Sequence, residues 1–224
     1  MHLINKMAEA KRSKTTGTVS LLDYGAGNVR SVRNAIRRLG YVVDDISTPE
    51  QIDAAKVLIF PGVGSFGNAM KTLEDRGLVE ALRAYVKAGR PFFGICLGMQ
   101  TLFEGSEESP GVAGLGVIPG VVKHFRAPLP AGSAGSAPAG VDLNAVTVPH
   151  IGWNGLSYGG ERASSILEAL PDPSSSSASS STAQQPPRVY FVHSFRVVPE
   201  PACADWVLTT TTYAGMVSER FENS

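Results

Sequence analysis

Cysteine is scarce in this sequence: Cys96 and Cys203 are the only two in 224 residues. That is too few for a disulfide framework and points to a reducing compartment. Net charge is also missing, because 20 basic and 20 acidic side chains cancel. No long-range field therefore draws in nucleic acid or an anionic membrane, and neither is expected as a partner. No apolar run approaches the ~20 residues of a membrane span. The first seventeen residues are basic and polar but lack the apolar core of a secretory signal, so 1–17 reads as a flexible leader. No cluster of His, Cys, Asp and Glu has metal-ligand spacing, and neither a metal nor an organic cofactor is expected.

What is present is apolar residue in quantity, 43% of the chain, enough for one ample core. The first half alternates strand and helix patterns. Val19–Asp23 is a short apolar run ending in the turn Tyr24-Gly25-Ala26-Gly27-Asn28. In VRSVRNAIRRLG the residues Val29, Val32, Ala35, Ile36 and Leu39 share one helical face, and Gly40 stops it. Tyr41–Ile46 reads as a second strand. Ser47-Thr48-Pro49-Glu50 reads as a helix start with Pro49 at the first helical position. Lys56–Phe60 is a third strand ending in PGVGSF, helices follow around Gly67–Leu73 and Gly77–Lys87, and Pro91–Ile95 is a fourth strand. This alternation implies an α/β fold with a mostly parallel central sheet flanked by helices. In such sheets chemistry gathers beyond the carboxyl ends of the strands, where DYGAGN, PGVGSF and GICLG all sit.

The second half is less regular. Low-complexity tracts at 127–140 and 171–187 read as surface insertions. The β-rich pieces Gly120–Phe125, 188–198 and 206–213 form a smaller, antiparallel portion beside the parallel sheet.

Gly94-Ile95-Cys96-Leu97-Gly98 is the strongest chemical signal. G-x-C-x-G on a strand-to-helix turn is the cysteine version of the nucleophile elbow. The flanking glycines let the backbone strain and leave room for substrate, and the helix after Cys96 stabilises a thiolate. The amide of Leu97 would face an oxyanion at the attacked carbonyl, with further donors from Pro61-Gly62-Val63-Gly64. A buried free cysteine is usually inert packing; the elbow context reverses that reading. Attack on an amide also needs a proton donor for the leaving nitrogen, usually histidine. The four histidines are His2 in the leader, His124 in an alternating strand, and His150 and His193 in aromatic surroundings. The last two read as hydrogen-bonded structural residues or as active-site wall, with the wall favoured. No His-x-Glu or His-x-Asp pair offers a carboxylate-oriented base.

The pieces DYGAGN (23–28), PGVGSFGNAM (61–70), GICLGMQ (94–100), FEGSEE (103–108), PHIGWN (149–154) and YFVHSF (190–195) occur in one order along most of the chain. With them the sequence resembles the glutaminase part of imidazole glycerol phosphate synthase, a class I (triad) glutamine amidotransferase of histidine biosynthesis. The resemblance implies a three-layer sandwich and a single amidotransferase domain over 18–224. It makes Cys96 the nucleophile toward the side-chain amide of glutamine and places Val63, Gly64 and Leu97 on the oxyanion loop and turn. It places Gln100, Glu108, Ser194 and Phe195 around the bound glutamine. Asn28 and Trp153 fall on the side facing a (β/α)8 cyclase, separate or fused, that receives the ammonia. It implies a cytoplasmic or plastid location. The family's base and its carboxylate lie in a late His-Pro-Glu segment, which these 224 residues lack. The expectation is thus of a C-terminally incomplete domain that is a very poor glutaminase by itself. The competing expectations are a catalytically dead, amidotransferase-like module that binds glutamine or regulates a barrel synthase, and a cysteine hydrolase of the same broad fold. The latter would carry histidine after the nucleophile, where Leu97 stands.

Overall fold

The computed structural model describes residues 17–129, 131–133, 135–158 and 188–221. The leader and the tract expected at 171–187 lie outside the described residues, apart from Gly17. The chain divides into two compact units. One takes the residues up to Glu104 together with Gly111–Val117, and the other takes Gly105–Pro110 and the chain from Ile118 onward.

The first unit is built on a parallel sheet of order β2-β1-β3-β4, with β1 Thr18–Leu22, β2 Val42–Ile46, β3 Leu58–Gly62 and β4 Phe92–Cys96. Its central strands are largely apolar runs, as strands covered on both faces tend to be. Val19 to Leu22 are all buried, as are Leu58, Phe60, Pro61 and Gly62. Edge strand β2 instead exposes Val42, Asp44 and Asp45. The Arg33 guanidinium forks onto Asp45, with Nε 3.0 and 2.9 Å from its two oxygens.

Flanking helices follow each strand. Helix α1 (Val29–Arg38) begins where Asn28 Oδ1 accepts the Ser31 amide at 3.3 Å and ends at Gly40, whose φ of +93° closes the turn. Val29 and Ile36 are buried, but Ala35 is exposed and Leu39 is 70% exposed. The apolar face is narrower than the periodicity predicts: Leu39, still αR and bonded to the Ala35 carbonyl, lies in solvent at the helix end. Helix α2 (Pro49–Ala54) carries the expected start, a capping box of Thr48 and Gln51 with proline in the first turn. Helices α3 (Phe66–Asp75) and α4 (Val79–Lys87) bury Phe66, Ala69, Met70, Leu73 and Leu82, Tyr85, Val86 at helical spacing.

The second unit is antiparallel in character. β6 (Ile118–His124) lies between β5 (Phe103–Ser106) and β10 (Phe195–Arg196). β11 (Val207–Tyr213) pairs with β8 (Ser157–Tyr158) and, through a turn at Ala214 and Gly215 with φ of 50° and 77°, with β12 (Met216–Phe221). β7 (His150–Gly155) and β9 (Arg188–His193) form a ribbon in which His150 faces His193. The predicted strand over 188–198 thus breaks at Ser194. A small core of Phe125, Val146 and Met216 gathers Ala137 and Tyr213. From the tract read as a surface insertion, residues 131–133 are exposed, while Ala137 joins this core and the Gly135 carbonyl accepts from Arg196 at 2.8 Å. Cys203 is buried with its Sγ 3.4 Å from the Glu200 carbonyl, a packing role.

Candidate active site

Cys96 ends β4 with φ 54° and ψ −113°, a backbone conformation rare for any residue with a side chain. Such strain persists only where its surroundings over-determine it. Here the cause is close backbone approach on both sides. A Cβ at Gly94 would stand 2.7 Å from Met99 Cα, and one at Gly98 would stand 1.9 Å from the Phe60 carbonyl oxygen. The chain therefore folds back over β4 and against β3 in a single turn, α5 (Leu97–Gln100). The glycines of G-x-C-x-G make room for the chain itself rather than for substrate, and the strain falls on the cysteine, which is exposed. Because α5 is four residues long, its dipole is that of one turn and contributes little to holding a thiolate.

The neighbouring strand delivers the second loop. Gly62 pairs in register with Cys96, and a Cβ there would meet Leu97 Cβ and the Gly98 nitrogen at 2.8 Å. Val63 and Gly64 follow directly, Val63 53% exposed and Gly64 at φ +101°. Val63, Gly64, Cys96 and Leu97 are thus gathered at the carboxyl ends of β3 and β4. Gln100 closes α5 and is buried.

DYGAGN reaches the same rim. A Cβ at Gly27 would be 3.2 Å from the Pro61 carbonyl. The Tyr24 ring packs edge-on against Phe60 at 5.2 Å and is 1% exposed, and its hydroxyl makes no hydrogen bond among the described residues. Burial first, and the charge of Cys96 second, raise the pKa of this phenol. Sequence reasoning did not single out Tyr24. Asn28 is the α1 cap and remains exposed.

The other predicted site residues belong to the second unit. Glu108 is half-buried, its amide 3.2 Å from Ser106 Oγ. Ser194 sits at the break between β9 and β10 and its carbonyl accepts the Phe125 amide at 3.1 Å. Phe195 pairs with His124 across β10 and β6, their rings 5.1 Å apart. Trp153 is 61% exposed, edge-on to Tyr190 at 5.5 Å. Ile151, Tyr190 and Val192 on the same ribbon are 58%, 51% and 59% exposed. With Trp153 they make an apolar strip that sequence reasoning missed, although the alternation in HIGW and YFVH was available to find it. His150 and His193 are hydrogen-bonded to each other, Nδ1 to Nε2 at 3.2 Å.

A family model for class-I glutamine amidotransferases matches residues 20–222. The chain belongs to that family. Within it, the chain groups with imidazole glycerol phosphate synthase. It is 46% identical over 201 residues to the chloroplastic hisHF protein of Arabidopsis thaliana, covering 90% of this chain and 29% of that one. To hisHF of Schizosaccharomyces pombe it is 38% identical, covering 87% and 31%. To the HisH subunit of Moorella thermoacetica it is 38% identical, covering 88% and 78%. The chain thus spans less than a third of the plant and fungal relatives. A crystal structure of a glutamine amidotransferase superposes with a TM-score of 0.56 at 18% identity, covering 92% of this chain and 90% of that one, and shares its fold. Among the described residues no helix is long and apolar enough to cross a membrane.

Proposed function

We propose that this chain is the glutaminase portion of an imidazole glycerol phosphate synthase, releasing ammonia from glutamine for a (β/α)8 cyclase in histidine biosynthesis. The observation that carries the reading is Cys96, strained and exposed at the end of β4, with the Val63–Gly64 loop beside it. The Cys96 thiolate attacks the side-chain carbonyl of glutamine. The carbon–sulfur bond forms, the oxyanion is met by amides of the Val63–Gly64 stretch and of Leu97, and ammonia leaves after protonation. Water then cleaves the thioester to give glutamate. Gln100, Glu108, Ser194 and Phe195 hold the head group of the glutamine, with Glu108 suited to its ammonium.

The base that moves these protons is the histidine of a His-Pro-Glu segment, which does not occur in these 224 residues. The partner docks on the strip centred on Trp153, because a contiguous exposed apolar face marks an interaction surface; the resemblance adds Asn28 of the first unit as a contact. The cyclase is either fused, as the hisHF names of the plant and fungal relatives suggest, or a separate subunit. The compartment is cytoplasmic or plastid, the latter suggested by the chloroplastic relative.

The experiment compares ammonia release from glutamine by these 224 residues, by a longer chain carrying His-Pro-Glu, and by the longer chain with its cyclase. The expected order is negligible, slow and fast, with Cys96→Ala inactive throughout. Turnover by the 224 residues matching that of the longer chain would contradict the assignment of the base. Turnover that survives Cys96→Ala would contradict the assignment of the nucleophile.

A further inference from the structure

The second unit holds two histidines that the proposed chemistry does not use. They lie opposite each other on β7 and β9, and burial favours the neutral form of both rings. His193 Nδ1 is 2.8 Å from the Phe195 carbonyl oxygen, which can only accept, so Nδ1 carries the proton. In the neutral ring that burial favours, His193 Nε2 is then an acceptor and the His150 Nδ1 at 3.2 Å its donor. His150 Nε2 is left as a buried acceptor without a hydrogen-bond donor among the described residues.

Aromatic packing holds the pair in place. His150 is 1% exposed and sandwiched between Tyr213, at 4.0 Å and 19°, and Phe191, at 5.1 Å and 16°. Phe125 stands edge-on to His193 at 5.1 Å. Burial holds both imidazoles below the ordinary histidine pKa, and the Arg196 charge adds to the effect on His193. Asn154 beside His150 opposes it.

The pair terminates on the break in the strand. The Ser194 carbonyl is held by the Phe125 amide and the Phe195 carbonyl by His193, so both peptide planes of the bend are fixed. Phe195 and Arg196 also pair with His124 and Lys123 of β6, so the His193 bond adds a side-chain hold on the Phe195 carbonyl to that of the ladder. A buried histidine pair with an unsatisfied nitrogen is costly as mere packing, and two leucines would fill the space without that cost.

We propose that His150 and His193 are positioning residues: a relay of two neutral rings that sets the Ser194–Phe195 backbone for binding the glutamine head group. This inference rests on the glutaminase reading, because that reading puts the glutamine against Ser194 and Phe195. The pair touches no reacting atom, so its loss weakens glutamine binding more than it slows turnover of bound glutamine.

The test uses the full-length enzyme with its cyclase. His150→Phe keeps a flat ring between Tyr213 and Phe191 but removes the donor to His193. His150→Gln restores a donor. The expected result is a KM for glutamine raised about tenfold by His150→Phe with kcat changed less, and largely recovered by His150→Gln. An unchanged KM in folded His150→Phe enzyme, or a fall in kcat alone, would overturn the inference. Independently of activity and of any variant, nitrogen-15 spectra of the wild-type rings should show both histidines protonated at Nδ1 at neutral pH. A His193 protonated at Nε2 would also overturn it. If the wild-type enzyme released no ammonia from glutamine, the glutaminase reading would fall and the positioning role with it. The same spectra would then show only whether the relay exists.

Discussion

The elbow at Cys96 and the histidine ribbon of β7 and β9 solve the same problem, holding a backbone in one shape, by opposite means. At the elbow the fixing is done by contact between main chains. Gly94, Gly98 and Gly62 each lack room for a Cβ, and Cys96 is left at φ 54° as the result. On the ribbon the fixing is done by side chains, two imidazoles and a sandwich of aromatic rings that hold a bend at Ser194. Main-chain packing tolerates one residue type only, whereas side-chain packing admits substitutes of similar shape. The elbow is therefore brittle and the ribbon adjustable.

The sharpest way to break the comparison is Gly98→Ala. Its methyl group would stand 1.9 Å from the Phe60 carbonyl, so α5 and β3 must separate. A loss of about 3 kcal/mol or more is expected, measured by denaturant unfolding. A well-folded Gly98→Ala protein with wild-type stability would show that the elbow is not held by main-chain contact.

Exchanging the strained residue should act in the other direction. Cys96→Gly removes the Cβ that opposes φ 54° and should raise stability by about 1 kcal/mol while abolishing glutamine hydrolysis. Activity and stability would then move oppositely at a single position, checked by thermal midpoint and ammonia release.

On the ribbon, the exposed strip should matter for docking and not for folding. Trp153→Ser is expected to change stability by no more than about 0.5 kcal/mol and to weaken cyclase binding at least tenfold. Titration calorimetry and thermal unfolding separate the two effects.

The histidine pair makes a pH prediction with a definite sign. Both rings have folded pKa values lowered from 6.5, by burial first. The unfolded chain takes up its protons nearer 6.5, so it binds more protons than the fold in the window just below that value. The stabilisation from the neutral pair is fully present above pH 6.5 and is lost as the pH falls toward the lowered folded values. Thermal midpoints measured downward from pH 8 should fall through this window, and His150→Phe should flatten the fall.

The smallest effect is expected at Tyr24. Its hydroxyl is buried without a hydrogen bond among the described residues, so Tyr24→Phe should gain about 1 kcal/mol rather than lose stability.

The contrast between the two regions also explains what the sequence revealed. The parallel strands were legible because β1 and β3 are short, largely apolar runs, and helix α2 because Thr48, Pro49 and Gln51 spell out its start. The elbow was legible because main-chain crowding demands glycine at fixed spacing. Its reason was not: the glycines looked like space for a ligand, and only their distances to Met99 and Phe60 show otherwise. β7 was read as a motif and not as a strand, since its apolar residues Ile151 and Trp153 point to solvent. β12 was missed because MVSERF carries charges and pairs only through the Ala214–Gly215 turn. The histidine pairing depends on strand register over 43 positions in sequence, which no local pattern encodes. Leu39 shows the opposite error, a residue in phase with a helical face whose covered part ends before it.

The central claim is that Cys96 attacks the side-chain carbonyl of glutamine. Its most direct test is the mass of the Cys96 peptide after incubating the full-length enzyme with a glutamine analogue that bears an electrophilic carbon in place of the side-chain amide. One adduct per chain on Cys96, none on Cys203, and protection by glutamine are the results expected. Labelling that glutamine does not slow, or that falls equally on Cys203, would contradict the claim and leave Cys96 a strained residue without a glutamine site.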